Sequence, residues 1–419
     1  MLAITNARHL EAPVDLLVDG HRIVTMTPAG HHPPPDGCQL FDAGGLILMP
    51  SFIDAHVHLR EPGFEYKEDI ASGLTAAAHG GFGAVMCMAN TKPVNDSAAV
   101  TTFMLERARQ AHPHGPRLHP FAAATVGLKG ESMAPLAELR EAGCTAVSND
   151  GRPVENNELF RRIMEYAADL GMVVSDHCED PWLARGWLMN EGSVSGLLGV
   201  KGQPWVGEAL QAARDVMLAE YLGLPVHIAH VSSRQTVDII AWGKARGVQV
   251  TAETCPHYLL LDDTALEGYR VGAKVSPPLR TPEDRDALRR AVREGIIDIL
   301  TTDHAPHAAH EKEGTLDEAA FGFTGLDLAV SLCWGLVREN IMSEADMQRL
   351  WCRRPGEIFG LSWNGFAPGD PADFFLLDPG EIWIPGPDTL YSKSCNTPFS
   401  GQSLYGRVRH HWLGGVQLF

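Results

Sequence analysis

The chain has no Cys-x-x-Cys pair and no dense group of cysteines; its eight, at positions 38, 87, 144, 178, 255, 333, 352 and 395, are scattered. A disulfide framework is therefore not expected, and the thiols read as mostly buried, reduced residues of a cytoplasmic protein. Positive charge is also scarce, with 34 Lys and Arg against 52 Asp and Glu for a formal net charge of -18. Nucleic acid and anionic membrane both require a basic field, so neither is an expected partner. No charge-free apolar run approaches the roughly 20 residues that span a bilayer. The opening residues, Met1 to Pro13, lack a basic region followed by an apolar stretch, so no export signal is expected either.

What is present is a globular composition: 419 residues, 45% hydrophobic, with 42 Gly and 28 Pro. That length allows two or three domains, or one large barrel with an appendage. Short apolar alternations at 16–18 and 23–26, broken by Asp19-Gly20, predict a hairpin. Residues 28–37 are too rich in Pro and Gly for regular structure and predict a loop, with His31 and His32 read as its solvated tip rather than a metal site.

From about 46 to 360, eight short apolar or β-branched runs alternate with helical patterns. The runs are 52–58, 83–89, 118–124, 145–149, 172–176, 226–229, 248–252 and 297–302; the helices are 68–79, 97–111, 132–142, 156–170, 206–222, 232–245 and 282–294. Alternation of this kind predicts an α/β fold with a parallel sheet. Eight units over this length fit a (β/α)8 TIM-like barrel, with an open doubly wound sheet as the alternative. After Gly360 the pattern returns to β at 373–377, 382–384 and 405–412, with Pro368-Gly369-Asp370 and Asp378-Pro379-Gly380 as turns. Neither terminal piece has enough strands to stand alone. We therefore expect residues 1–50 and 361–419 to combine into a small β-sandwich domain beside a barrel of residues 51–360.

Chemistry concentrates where the barrel strands end. On the first strand, alternation puts His56, His58 and Arg60 on one face while Val57 and Leu59 turn to the packing. Asp150, His177, His230 and Asp303 follow the fourth, fifth, sixth and eighth strands. In a barrel these ends converge on one mouth. Four imidazoles and two carboxylates are the nitrogen and oxygen donors that Zn²⁺ or Mn²⁺ prefers.

The series Asp54-Ala55-His56-Val57-His58-Leu59-Arg60-Glu61-Pro62-Gly63, Cys87-Met88-Ala89-Asn90-Thr91-Lys92-Pro93, Ser148-Asn149-Asp150-Gly151-Arg152-Pro153-Val154, Asp176-His177-Cys178-Glu179-Asp180, Thr302-Asp303-His304-Ala305-Pro306-His307 and Ser392-Lys393-Ser394-Cys395-Asn396-Thr397-Pro398-Phe399 resembles class I bacterial dihydroorotases of the amidohydrolase superfamily. The resemblance implies zinc-dependent interconversion of N-carbamoyl-L-aspartate and L-dihydroorotate in pyrimidine synthesis. It implies one or two Zn²⁺ ions, two being favoured, with His56, His58 and Asp303 on one, His177 and His230 on the other, and Asp150 bridging in place of a carbamylated lysine. Asp303 would also carry the proton of the reaction. Arg60, Asn90 and His307 would contact the substrate carboxylate, while Ser276, Phe321 and Gly322 would line the ring pocket. A homodimer is implied, and aspartate carbamoyltransferase is a further candidate partner.

Three positions depart from the family pattern. Ala89 replaces a usual proline, Cys395 replaces a lysine, and Ser276 stands where an asparagine usually contacts the ring. A hydroxyl cannot present the paired donor and acceptor of an amide, and serine is what hydantoinase-like relatives tend to have. The alternatives are thus a hydantoinase- or allantoinase-type cyclic amidase, or a non-catalytic partner of aspartate carbamoyltransferase. The glycine-rich stretch 314–325 reads either as a pocket wall or as an ordinary loop.

Overall fold

The computed structural model describes residues 1–31 and 33–419; His32 of the predicted loop tip lies outside them. Eight parallel strands, Phe52–Val57, Phe82–Cys87, Arg117–Ala123, Ala146–Ser148, Val173–Asp176, Val226–Ile228, Val250–Thr254 and Ile299–Leu300, run in sequence order round a barrel. The ring is closed between first and last strands by side chain and backbone together. His58 N–H donates to the His304 carbonyl at 2.8 Å, and the buried Asp54 carboxylate accepts from Thr302 N at 3.1 Å and Thr302 Oγ1 at 2.5 Å. This last contact ties the strand bearing His56 and His58 to the segment bearing Asp303.

The helices between strands start and stop where local chemistry dictates. Asp69 and Ser72 form a capping box at Ile70–His79, and Thr281 with Asp284 does the same at Pro282–Glu294, where proline occupies the first turn. Gly143, Gly223 and Gly295 end their helices in the left-handed conformation.

The terminal strands form one eight-stranded sheet whose members come from both ends of the chain. Strand Leu2–His9 forks: residues 2–5 pair with Gln39–Asp42, while Arg8 pairs with Ile47. Through the fork the sheet becomes two layers, and Phe41 on one branch meets Trp412 on the other with ring centroids 5.1 Å apart. Ile4, Leu16, Val18, Leu48, Phe374, Leu376 and Trp412 fill the space between.

One predicted turn is corrected. Residues Phe374–Trp383 form a single strand, and Asp378-Pro379-Gly380 is a bulge within it, where the register against Leu404–Leu413 shifts. Asp378 Oδ1 accepts from Gly380 N and Glu381 N, so the carboxylate replaces the ladder partners that the proline breaks. Residues 29–31 and 33–37 are irregular, as their composition predicts.

Candidate metal centre and substrate pocket

Each strand end delivers one part of the mouth. The first strand runs straight into the site, and its alternation sends His56 and His58 inward, both buried. His230 and Asp303 follow their strands at φ of 32° and 48°, and Arg60 sits at 64°. Residues with side chains rarely adopt such angles, each costing about 1–3 kcal/mol, and the cost falls where side chains must turn into the mouth.

The six expected metal ligands are brought together. Asp150 Oδ1 lies 3.5 Å from each of His56 Nε2, His177 Nδ1 and His230 Nε2, and Asp150 Oδ2 is 3.7 Å from His58 Nε2. Asp303 Oδ1 is 3.2 Å from His58 Nε2 and 3.6 Å from His56 Nε2. His177 Nδ1 faces His230 Nε2 at 2.8 Å. Two overlapping groups with metal-ligand spacing result, His56 with His58 and Asp303, and His56 with Asp150 and His230.

The donor set fits a divalent cation. Among the described residues His56 Nε2 has no hydrogen-bond partner, although it is buried and two carboxylates flank it, a costly state for a polar atom. Burial opposes charge on these groups, yet contacts with the histidines hold Asp150 well below the usual carboxylate range and lower Asp303 also. Burial likewise disfavours the imidazolium of His177, but Asp150 and Glu179 outweigh it and push the group up to about 9. A field that favours imidazolium between two carboxylates favours a metal cation there for the same reason.

The expected substrate contacts divide. Arg60 donates through Nε to the Pro306 carbonyl at 3.2 Å and makes no ion pair among the described residues. Glu61, a potential competitor, is taken by Arg107 and the amide of Ile70. Asn90 lies against the cluster, accepting from His58 Nδ1 at 2.9 Å and reaching Asp150 Oδ2 at 3.5 Å. His307 donates through Nε2 to the Phe321 carbonyl at 2.7 Å; burial, with Arg60 and Lys67 nearby, lowers it to about 3 and keeps it neutral. The Phe321 ring stands 4.5 Å from that of Trp187. Gly322 has φ of 113°, and a Cβ there would lie 2.6 Å from that of Ala305, so only glycine fits. Ser276 is half-buried.

Sequence reasoning passed over Glu253, on the seventh strand. Its Oε1 accepts from His56 Nδ1 at 2.7 Å and from His230 N at 3.2 Å, and its Oε2 accepts from His227 Nε2 at 3.1 Å. A carboxylate there holds the His56 ring so that Nε2 faces the mouth. The available signal was an acid within an otherwise apolar and β-branched strand.

A closed parallel barrel whose mouth gathers histidines and aspartates from successive strand ends defines the amidohydrolase class of cyclic amide hydrolases. Its architecture matches the L-hydantoinase (dihydropyrimidinase) of Arthrobacter aurescens at a TM-score of 0.87 and 21% identity, covering 100% of this chain and 95% of that one. The D-hydantoinase (dihydropyrimidinase) of Thermus sp. follows at 0.83 and 22%, covering 100% and 95%. In sequence, residues 45–236 match the Dihydro-orotase-like family. The chain is 45% identical to the dihydroorotase of Desulforapulum autotrophicum over 405 residues, 97% of this chain and 94% of that protein. It is 46% identical to the Geobacter metallireducens dihydroorotase over 385 residues, 92% and 90% respectively. The chain belongs to the dihydroorotase family.

Proposed function

We propose that the mouth of the barrel interconverts N-carbamoyl-L-aspartate and L-dihydroorotate, the ring-closing step of pyrimidine biosynthesis, and that zinc is its metal. The observation that carries the reading is a half-buried guanidinium, Arg60, which makes no ion pair among the described residues, beside six convergent side chains of metal-ligand type. Hydantoin has no carboxylate for that cation, whereas dihydroorotate has one.

His56, His58 and Asp303 would hold one ion, His177 and His230 the second, with Asp150 shared between them. The sharing of His56 by both groups and the use of both Asp150 oxygens support two positions over one. When bound, the cations supply Lewis acidity toward the amide carbonyl and the attacking water. Asp303 accepts the water proton as its oxygen attacks the ring carbonyl, then delivers it to the departing amide nitrogen; ring closure runs the same steps backwards. Arg60 pairs with the carboxylate, assisted by His307. Asn90 fixes the tautomer of His58 and faces the same group. Ser276, Phe321 and Gly322 line the ring.

A non-catalytic partner role is disfavoured because every ligand position is filled. Leu210, Met217 and Tyr221 are exposed along helix Val206–Leu222 and supply the face that a homodimer would bury. A cytoplasmic setting accords with eight free cysteines, six of them buried; none of the described helices is long and apolar enough to cross a membrane.

The test is metal analysis of the purified protein with ring-opening assays on dihydroorotate, hydantoin and allantoin, before and after chelation. Dihydroorotate should be opened in strong preference, with activity lost on chelation and restored by Zn²⁺. Preference for hydantoin or allantoin, or full activity in the stripped protein, would overturn the reading.

A further inference from the structure

Two lysines are buried beside the pocket, Lys274 at 1% exposure and Lys312 at 8%. Neither makes an ion pair among the described residues; their ammonium groups are spent on backbone carbonyls. Lys274 Nζ donates to Leu316 O and Ala319 O, both at 2.6 Å, and lies 4.1 Å from the centre of the Phe321 ring. Lys312 Nζ donates to Ala320 O at 2.8 Å, Gly322 O at 3.0 Å and Lys274 O at 3.3 Å. The Lys274 carbonyl also accepts from Gly322 N at 2.9 Å, which ties the two lysines into one unit.

Taken along the chain, these contacts leave no carbonyl free between 319 and 322. Ala319 O is held by Lys274 and Ala320 O by Lys312. Phe321 O is held by His307, and Gly322 O by Lys312 together with Asn396 Nδ2 at 3.1 Å. Four consecutive peptide planes are thereby fixed, and with them the direction in which the amides and the Phe321 ring face. An ammonium without a counter-ion is an expensive group to bury. Burial pulls Lys312 down to about 7, and Lys274 beside it acts in the same sense. A segment needing only to be covered could be packed with apolar side chains at lower cost.

We propose that Lys274 and Lys312 are positioning residues for the reaction, an ammonium clamp that fixes segment 319–322 as a rigid wall against the substrate ring. The proposal rests on the reading of Phe321 and Gly322 as ring contacts and deepens it: ring recognition is set by peptide planes held from behind, and the wall is not a lid.

The experiment pairs Lys274→Met and Lys312→Met, which keep the length of the side chain and remove its charge. Steady-state kinetics with L-dihydroorotate should show KM raised by about tenfold or more with kcat held within about twofold, the signature of lost uniform binding. Metal content should be unchanged. Amide hydrogen exchange across 318–323 should lose protection in both variants relative to the parent. A merely structural role would lower the melting temperature and leave KM in place. An unchanged KM or unchanged exchange in the folded variants would overturn the clamp. Should the methionine variants fail to fold, Lys274→Gln and Lys312→Gln decide by the same two outcomes. Exchange needs no substrate, so it still judges the clamp if the parent protein fails to open dihydroorotate, a result that would instead overturn the function.

Discussion

At the end of the barrel where the strands begin, Phe52, Phe82 and Trp351 meet edge-on and stacked, and Phe375 of the terminal sheet closes against Phe52 at 5.0 Å. Where the strands finish, His56, Asp150, His177, His230 and Asp303 lie just as deep, none more than 7% exposed. Burial therefore does not separate the two ends; the way polar demand is met does. At the floor a buried polar pair is satisfied in full: Ser51 Oγ donates to His411 Nε2 at 2.8 Å and His411 Nδ1 donates to Ala78 O at 2.8 Å. Among the described residues the mouth leaves His56 Nε2 without a hydrogen bond and the Arg60 charge without an ion pair, and it accepts positive φ at three residues. Stability is concentrated below and reactivity above.

This contrast predicts that damage at the mouth lowers rate and spares folding, and that damage at the floor does the reverse. The largest effect is expected from Asp303→Asn, which should cut kcat on the order of 10³-fold by removing the proposed proton carrier, with the circular dichroism spectrum unchanged. An active Asp303→Asn enzyme would break the assignment. Phe52→Ala should cost about 3–5 kcal/mol of stability, read by urea denaturation, while kcat of the folded protein stays put. Arg60→Met should weaken productive substrate binding by about 2–5 kcal/mol. It should raise KM with metal content unchanged, and an unaltered KM would sink the role given to this residue.

The smallest effect sharpens the comparison through pH. Burial lowers His411 to about 4, against 6.5 for the free group. The folded protein keeps this ring neutral while the unfolded chain protonates it. Its contribution is therefore present above pH 6.5 and lost progressively as pH falls toward 4. At pH 5 the loss amounts to about 2 kcal/mol. His411→Phe should flatten this part of the curve of stability against pH, and an equally steep fall in that variant would place the acid sensitivity elsewhere.

Much of the barrel is legible in the residues because each strand is apolar and β-branched and the helices carry their own caps. The ligand cluster is legible because polar residues recur at the ends of such strands. The first hairpin was partly hidden: Leu2–His9 turns into Ala12–Asp19 through Leu10 and Glu11 at φ of 47° and 71°. That turn normally advertises itself with Asn-Gly or Asp-Gly, and here neither is present. Asp378-Pro379-Gly380 erred the other way, since turn chemistry serves equally well for a bulge. Lys274, Lys312 and Glu253 were illegible for a single reason: a charge in the sequence reads as solvated until folding shows which carbonyls or imidazoles surround it.

The forked sheet bears on how the chain is made. Strand Ile47–Pro50 finds its antiparallel neighbour only in residues 374–377. At ribosomal speeds of about 5–20 residues per second, those residues emerge roughly 15–65 s later. Throughout that interval this strand offers an unpaired β edge to whatever is nearby, so synthesis rate and chaperone supply bear on yield before any metal is bound.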